Sequence, residues 1–223
     1  MTETVLPLAA EALLVDMDGT LLDSAAAIEA GWRSFAVRWG LDPDELFGQV
    51  HGRRATDVIA QYASRLPISQ EDAVADHRQN SGIDPASVIA LPGALDLLRS
   101  TPSERLVVVS SGTRAEVRLR LEAAGLPPVP NIVGADDVDQ GKPSPDPYVM
   151  GAKLLGLDPD QCLVFEDAPA GIESASAAGC TTVGLLTTHT PAEMAGSTYI
   201  VKDLSAISVT FHDGSLSVTV PVG

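Results

Sequence analysis

The chain has 223 residues and carries 14 Lys and Arg against 30 Asp and Glu, a net charge of −16. Its length suits one ordinary domain or one core with an insertion, and 45% hydrophobic residues make it globular rather than disordered or fibrous. A pI near 4.4 excludes a nucleic-acid partner, because phosphate backbones select basic surfaces, and leaves no basic patch for an acidic membrane.

The opening MTETVLPLAAEALLV lacks the basic region of a secretory signal and soon meets Asp16 and Asp18. No segment reaches the roughly 18 consecutive apolar residues that span a bilayer. The run Ala12 to Val15 stops at DMDGT, which predicts a buried parallel strand opening into a loop. From Ala25 to Trp39 apolar positions recur with a helical period, and Gly40 is a natural stop. Asp42, Pro43 and Asp44 start a second helix, Thr56 to Leu66 form a third, and Ser69 with Glu71 and Asp72 begins a fourth that fades near Asn80-Ser81-Gly82. Residues 24–90 therefore read as an all-helical insertion without a good strand.

After Leu91-Pro92-Gly93 the rhythm changes. Helix Ala94 to Ser100, strand Arg105 to Ser110, helix Arg114 to Ala124 and strand Asn131 to Gly134 come first. Helix Asp146 to Leu155, strand Gln161 to Asp167, a helix to Ala178 and strand Thr181 to Leu185 follow. This alternation predicts βαβ units and a doubly wound parallel sheet, with residues 1–23 and 91–223 as one α/β core. Cys162 and Cys180 lie in apolar strand-like runs without metal-type spacing, as buried thiols in a reducing cytoplasm would. The tail ISVTFHDGSLSVTV has two alternating runs around His212-Asp213-Gly214, a hairpin signal, and is expected to extend the sheet edge.

Ligands of a doubly wound sheet collect beyond the carboxyl ends of its strands. Asp16-Met17-Asp18, Ser110-Ser111, Gly141-Lys142-Pro143 and Glu166-Asp167 all fall at or just beyond such ends, so distant parts of the chain meet at one rim. DMDGTLLDS, VVVSSGTR, QGKPSPDPY and VFEDAPAGI, in this order, resemble the haloacid dehalogenase (HAD) superfamily of phosphotransferases. The resemblance covers nearly the whole chain and implies a Rossmann-like core with a helical C1 cap.

The implied chemistry fits the residues. A phosphate ester needs a nucleophile, neutralisation of developing charge and protonation of the leaving oxygen. The resemblance makes Asp16 the nucleophile, forming an aspartyl-phosphate, and Asp18 the general acid and then base. Dehalogenases of this fold lack the second aspartate, so Asp18 points to phosphate chemistry. Oxygen-only ligation beside a phosphate favours Mg²⁺, with Asp16, the Asp18 backbone carbonyl, Asp167 and Glu166 (direct or through water) as implied ligands. Lys142 supplies a second positive charge. Ser110, the Ser111 or Gly112 amide, and Arg114 are expected at the phosphate or substrate, while Thr20 organises the loop of the first motif.

VHGRRATDV joins two helices of the insertion and places His51, Arg53 and Arg54 as a basic cluster in an acidic protein. These are expected to contact a small substrate. HGRR with SGTR, QGKP and FEDAPAG is similar to the branch of sugar phosphatases, glycerol-3-phosphatases and 2-deoxyglucose-6-phosphatases. The expectation is a Mg²⁺-dependent phosphatase of small sugar or polyol phosphates, adequate as a monomer, with a dimer possible. A β-phosphoglucomutase-like enzyme, or a phosphatase specific for glycerol 3-phosphate, is the alternative. A net charge of −16 does not forbid a phosphate substrate, since distant surface charge is screened over roughly 8 Å at physiological salt.

Overall fold

The computed structural model describes residues 4–80 and 87–222. Among them no helix is long and apolar enough to cross a membrane. Six strands form a parallel sheet in the order β6-β5-β2-β7-β8-β9: β2 is Ala12–Val15, β5 Leu106–Val109, β6 Ile132–Val133, β7 Cys162–Glu166, β8 Thr181–Leu185 and β9 Tyr199–Val201. Alternation along each strand divides the core in two. Leu13, Val15, Val108, Leu163 and Phe165 join one buried cluster, whereas Leu14, Val107, Val109 and Val164 join another on the opposite face. Helices α5 (Ala94–Ser100), α6 (Arg114–Ala123), α7 (Asp146–Leu154) and α8 (Pro169–Ala178) alternate with these strands. Cys162 and Cys180 are free and buried.

The insertion holds α1 (Ala25–Trp39), α2 (Pro43–Phe47), α3 (Ala55–Tyr62) and α4 (Gln70–Asn80). Its boundaries follow local chemistry. Gly40 closes α1 in the left-handed region at φ 67°, Asp42 caps α2 by accepting from the Asp44 and Glu45 amides, and Ser69 accepts from Asp72 N. Trp32, Phe35, Leu46, Val58, Ile59 and Tyr62 give this unit a core of its own, separate from the two sheet faces. The expected fade of α4 at Ser81-Gly82 lies outside the described residues.

Three features differ from the sequence reading. The C-terminal hairpin, β10 (Ser208–His212) and β11 (Ser215–Val222), does not extend the parallel sheet. It forms a separate antiparallel sheet in the order β1-β11-β10 with a strand the patterning concealed, β1 (Thr4–Ala10). Pro7 disguises β1; it is tolerated because β1 is an edge. The Asp213-Gly214 turn has both residues at positive φ, as a tight hairpin requires. The small sheet packs Val209, Leu216, Val218 and Val220 into the first core cluster. Second, the insertion is entered and left through a two-residue ribbon, β3 (Leu22–Asp23) against β4 (Ile89–Ala90), so residues 24–90 do include a strand. Third, β9 adds an outer strand that was not foreseen.

Candidate active site

β2 lies between β5 and β7, with crossovers departing to either side, so the sheet order reverses at its carboxyl end. That is where an open α/β sheet leaves a crevice. Asp16 follows β2, Ser110 follows β5, Glu166 ends β7 and Asp167 follows it.

Lys142 reaches this point from the loop before α7. Its side chain is 1% exposed, and Nζ donates to Asp16 Oδ1 at 2.5 Å, Glu166 Oε1 at 2.6 Å and the Val109 carbonyl at 3.2 Å. Burial alone would lower the lysine pKa; the two carboxylates outweigh it and raise it above the usual range. Glu166 is saturated by protein donors. Tyr148 Oη donates to Oε1 at 3.0 Å, and the Asp167 and Ala168 amides both donate to Oε2 at 2.9 Å. A Cβ on Gly171 would overlap the Glu166 carboxyl group, so only glycine lets α8 start this close. Asp167 accepts from Thr20 Oγ1 at 3.1 Å and from Thr188 Oγ1.

Oxygens of Asp16, Glu166 and Asp167 lie within 4.8 Å of one another, all three residues buried. One ammonium does not balance three carboxylates. Burial, with Glu166 nearby, raises the Asp167 pKa to about 7, and burial raises that of Asp16 well above its ordinary value despite Lys142. An all-oxygen, buried donor set with excess negative charge fits a hard divalent cation. Asp16 and Asp167 suit direct ligation. Glu166, with both oxygens taken, suits support from one layer out.

A cavity of about 370 Å³ opens from Asp16, Asp18, Ser110 and Asp167 and is closed above by Val50, His51, Gly52 and Arg53. Ile28 and Trp32 give it an apolar wall, and Glu116, Arg120, His77 and Arg78 a polar one. His51 stacks edge-on between Phe47 and His189, and burial first, then His189, lowers its pKa. Ser111 and Gly112 also line the cavity, but Ser111 Oγ donates to the Gly52 carbonyl of the insertion at 2.8 Å, and the Gly112 amide donates to Ser110 Oγ at 3.1 Å. Ser110 and the Ser111 amide are left to meet a ligand.

Other expected residues sit differently. Thr20 is fully buried and serves Asp167 rather than the cavity. Arg114 turns to Asp137 at 2.6 Å, away from the cavity wall. Arg54 reaches the wall with its guanidinium already engaged by Asp57 and by two core carbonyls.

Sequence reasoning missed the partners of Asp18. Arg120 Nη1 lies 2.7 Å from Asp18 Oδ2, and Ser24, the residue before α1, donates to Oδ1. A signal existed for Arg120. With Thr113 capping α6, Glu116 and Arg120 fall three and seven residues on, along one helix face that starts at the rim.

A sequence profile described as haloacid dehalogenase-like hydrolase matches residues 10–179. The chain belongs to this hydrolase family. Among the relatives of this haloacid dehalogenase-like hydrolase is Hexitol phosphatase A of Escherichia coli (strain K12), 36% identical over 202 residues spanning 88% of the chain and 93% of the relative. Glycerol-1-phosphate phosphohydrolase 2 of Saccharomyces cerevisiae (strain ATCC 204508 / S288c) is 36% identical over 200 residues, spanning 84% and 79%. A solved hydrolase from Pseudomonas syringae superposes with a TM-score of 0.77 at 28% identity, covering 87% of this chain and 94% of that one.

Proposed function

We propose that this hydrolase is a Mg²⁺-dependent phosphatase of small sugar or polyol phosphates, working in the cytoplasm through an aspartyl-phosphate on Asp16, with residues 24–90 as its cap. One observation carries the reading: Asp16, held by the buried Lys142 and flanked by Asp167 and Glu166, faces a cavity of about 370 Å³. That volume lies at the small end of ligand pockets and matches a leaving group of a few carbons rather than a polymer. The names of the relatives point to the same substrates.

In the first step the free oxygen of Asp16 attacks phosphorus as the bond from phosphorus to the ester oxygen breaks. Asp18 gives its proton to the departing alkoxide. In the second, Asp18 takes a proton from water, water oxygen bonds to phosphorus, and the bond from phosphorus to Asp16 breaks. The products are alcohol and inorganic phosphate, and both aspartates are restored. Lys142 and Ser110 stabilise the phosphoryl oxygens throughout. Mg²⁺, held by Asp16, Asp167 and the Asp18 carbonyl, would neutralise phosphoryl charge.

Purified protein with Mg²⁺, assayed against hexitol, hexose, pentose and glycerol phosphates, should release phosphate while an Asp16→Asn control falls more than about 10³-fold. Turnover no faster than the control would reject the reading. Isomerisation of a sugar 1-phosphate dependent on added bisphosphate, in place of phosphate release, would replace it with the mutase.

A further inference from the structure

The cap reaches the core at a point beside the catalytic lysine. Arg54 Nε and Nη2 meet the two Asp57 carboxylate oxygens at 2.8 and 2.9 Å. Nη1 then donates to the Val138 carbonyl and Nη2 to the Asp139 carbonyl, both at 2.8 Å. Asp57 neutralises the guanidinium and fixes its plane, so the core receives an oriented pair of donors rather than a free charge. Arg54 is 8% exposed. Its engagement with Asp57 and the two carbonyls leaves it poorly placed to grip a substrate.

The segment it holds makes few bonds of its own. Asp137 N donates to Gly134 O, and Ser144 N donates to Gly141 O. Among the described residues, no backbone amide from Val138 to Lys142 donates within the protein, and the Val138 and Asp139 carbonyls accept only from Arg54. Gly141 follows, buried, and a Cβ there would lie 2.5 Å from Arg54 Nε and 2.7 Å from its Cδ and Cγ. The next residue is Lys142. Arg54 thus occupies space that only a glycine leaves open, immediately before the residue that balances Asp16.

We propose that Arg54 is a positioning residue: reaching from the insertion onto segment 138–141, it completes the loop that delivers Lys142 to Asp16. The alignment of Lys142 then depends on a contact that the core does not supply for itself. The catalytic part of this inference rests on the phosphatase reading; the structural part does not.

The test uses the full chain with Mg²⁺ and the variants Arg54→Ala, Arg54→Lys, Gly141→Ala and Arg54→Ala/Gly141→Ala. Amide hydrogen exchange at Gly134, Ala135, Asp137 and Ser144, the hydrogen-bonded amides that flank the segment, should quicken by about tenfold or more in Arg54→Ala, with β7 and α8 unchanged. On p-nitrophenyl phosphate and on the best substrate of the panel, kcat should fall by about 10- to 100-fold, with KM moving less than about threefold. Arg54→Lys should recover part of the loss. Gly141→Ala should reproduce it, and the double variant should be no worse than the poorer single one. Unchanged exchange, a loss confined to KM of the natural substrate, or additive losses would each overturn the proposal. The second of these outcomes would return Arg54 to direct substrate contact. If the wild type hydrolyses nothing, the phosphatase reading fails, and exchange in Arg54→Ala, Arg54→Lys and Gly141→Ala still decides what Arg54 holds.

Discussion

Asp18 has both carboxylate oxygens occupied, one by Ser24 at the entrance to the helical insertion and one by Arg120 of α6. In the proposed reaction it must face the leaving oxygen, so the group that fixes its orientation matters to the rate. Arg120 is well placed for this, because its side chain is 13% exposed and aligned end-on at 2.7 Å. Arg120→Met should lower kcat by about 10- to 100-fold, within the range general acid–base catalysis contributes, while Mg²⁺ affinity stays close to wild type. Steady-state kinetics with Mg²⁺ titration checks both; an unaltered kcat would remove Arg120 from the site. Asp16, Asp18, Glu166 and Asp167 were legible because each sits in a short contiguous motif at or just past a strand end, and Lys142 because it sits in the short motif Gly141-Lys142-Pro143 of the loop before α7. Arg120, Ser24, Tyr148 and Thr188 were not. Each acts through a partner at least six residues away, and a bare Arg on a helix looks the same whether it meets solvent or a buried carboxylate.

At the level of elements, helical periodicity and cap chemistry marked α1, α2, α4 and α6, and continuous apolar runs marked β2, β5, β7 and β8. The failures have physical causes. In β1 the inward residues Leu6, Leu8 and Ala10 alternate with Val5, Pro7 and Ala9, so hydrophobic contrast is nearly absent. The strands β3 and β4 are two residues each, too short for any period to register. Packing of α4 against α1 leads to a sharper expectation. His77 lies 4.0 Å from the Trp32 ring and near Phe35, its Nε2 is buried without a partner, and burial lowers its pKa to about 4. Glu116 and Asp76 oppose that shift, whereas Arg78 and Arg120 add to it. Because the folded pKa is below the ordinary 6.5, the unfolded chain binds the extra proton between pH 6.5 and 4, and stability is lost as pH falls through that window. At pH 5 the loss is on the order of 2 kcal/mol. His77→Phe keeps the ring stack and removes the proton, so its melting temperature should overtake wild type increasingly from pH 7 to pH 5. A pH-independent difference between the two would contradict this.

For the whole molecule, the excess of buried carboxylate would couple stability to a divalent cation bound there. The folded pKa values of Asp16 and Asp167 lie above their unfolded values, so without a cation their contribution is present at low pH and is lost as pH rises through about 7. A divalent cation binds the ionised forms, and its stabilising effect grows in the same direction. The increment in melting temperature from Mg²⁺ over a chelator-treated sample should therefore be small at pH 5 and larger at pH 8. An increment independent of pH would show that Asp16 and Asp167 are ionised without the metal. The pairing of β1 with β11 has a consequence in time. Leu6 pairs with Val220, so β1 leaves the ribosome long before its partner exists. At about 5–20 residues per second the wait is roughly 10 to 40 s. Throughout it a strand carrying Leu6 and Leu8 has no partner for its backbone, and the Pro7 that hid it from sequence patterning also keeps a neighbouring chain from pairing there.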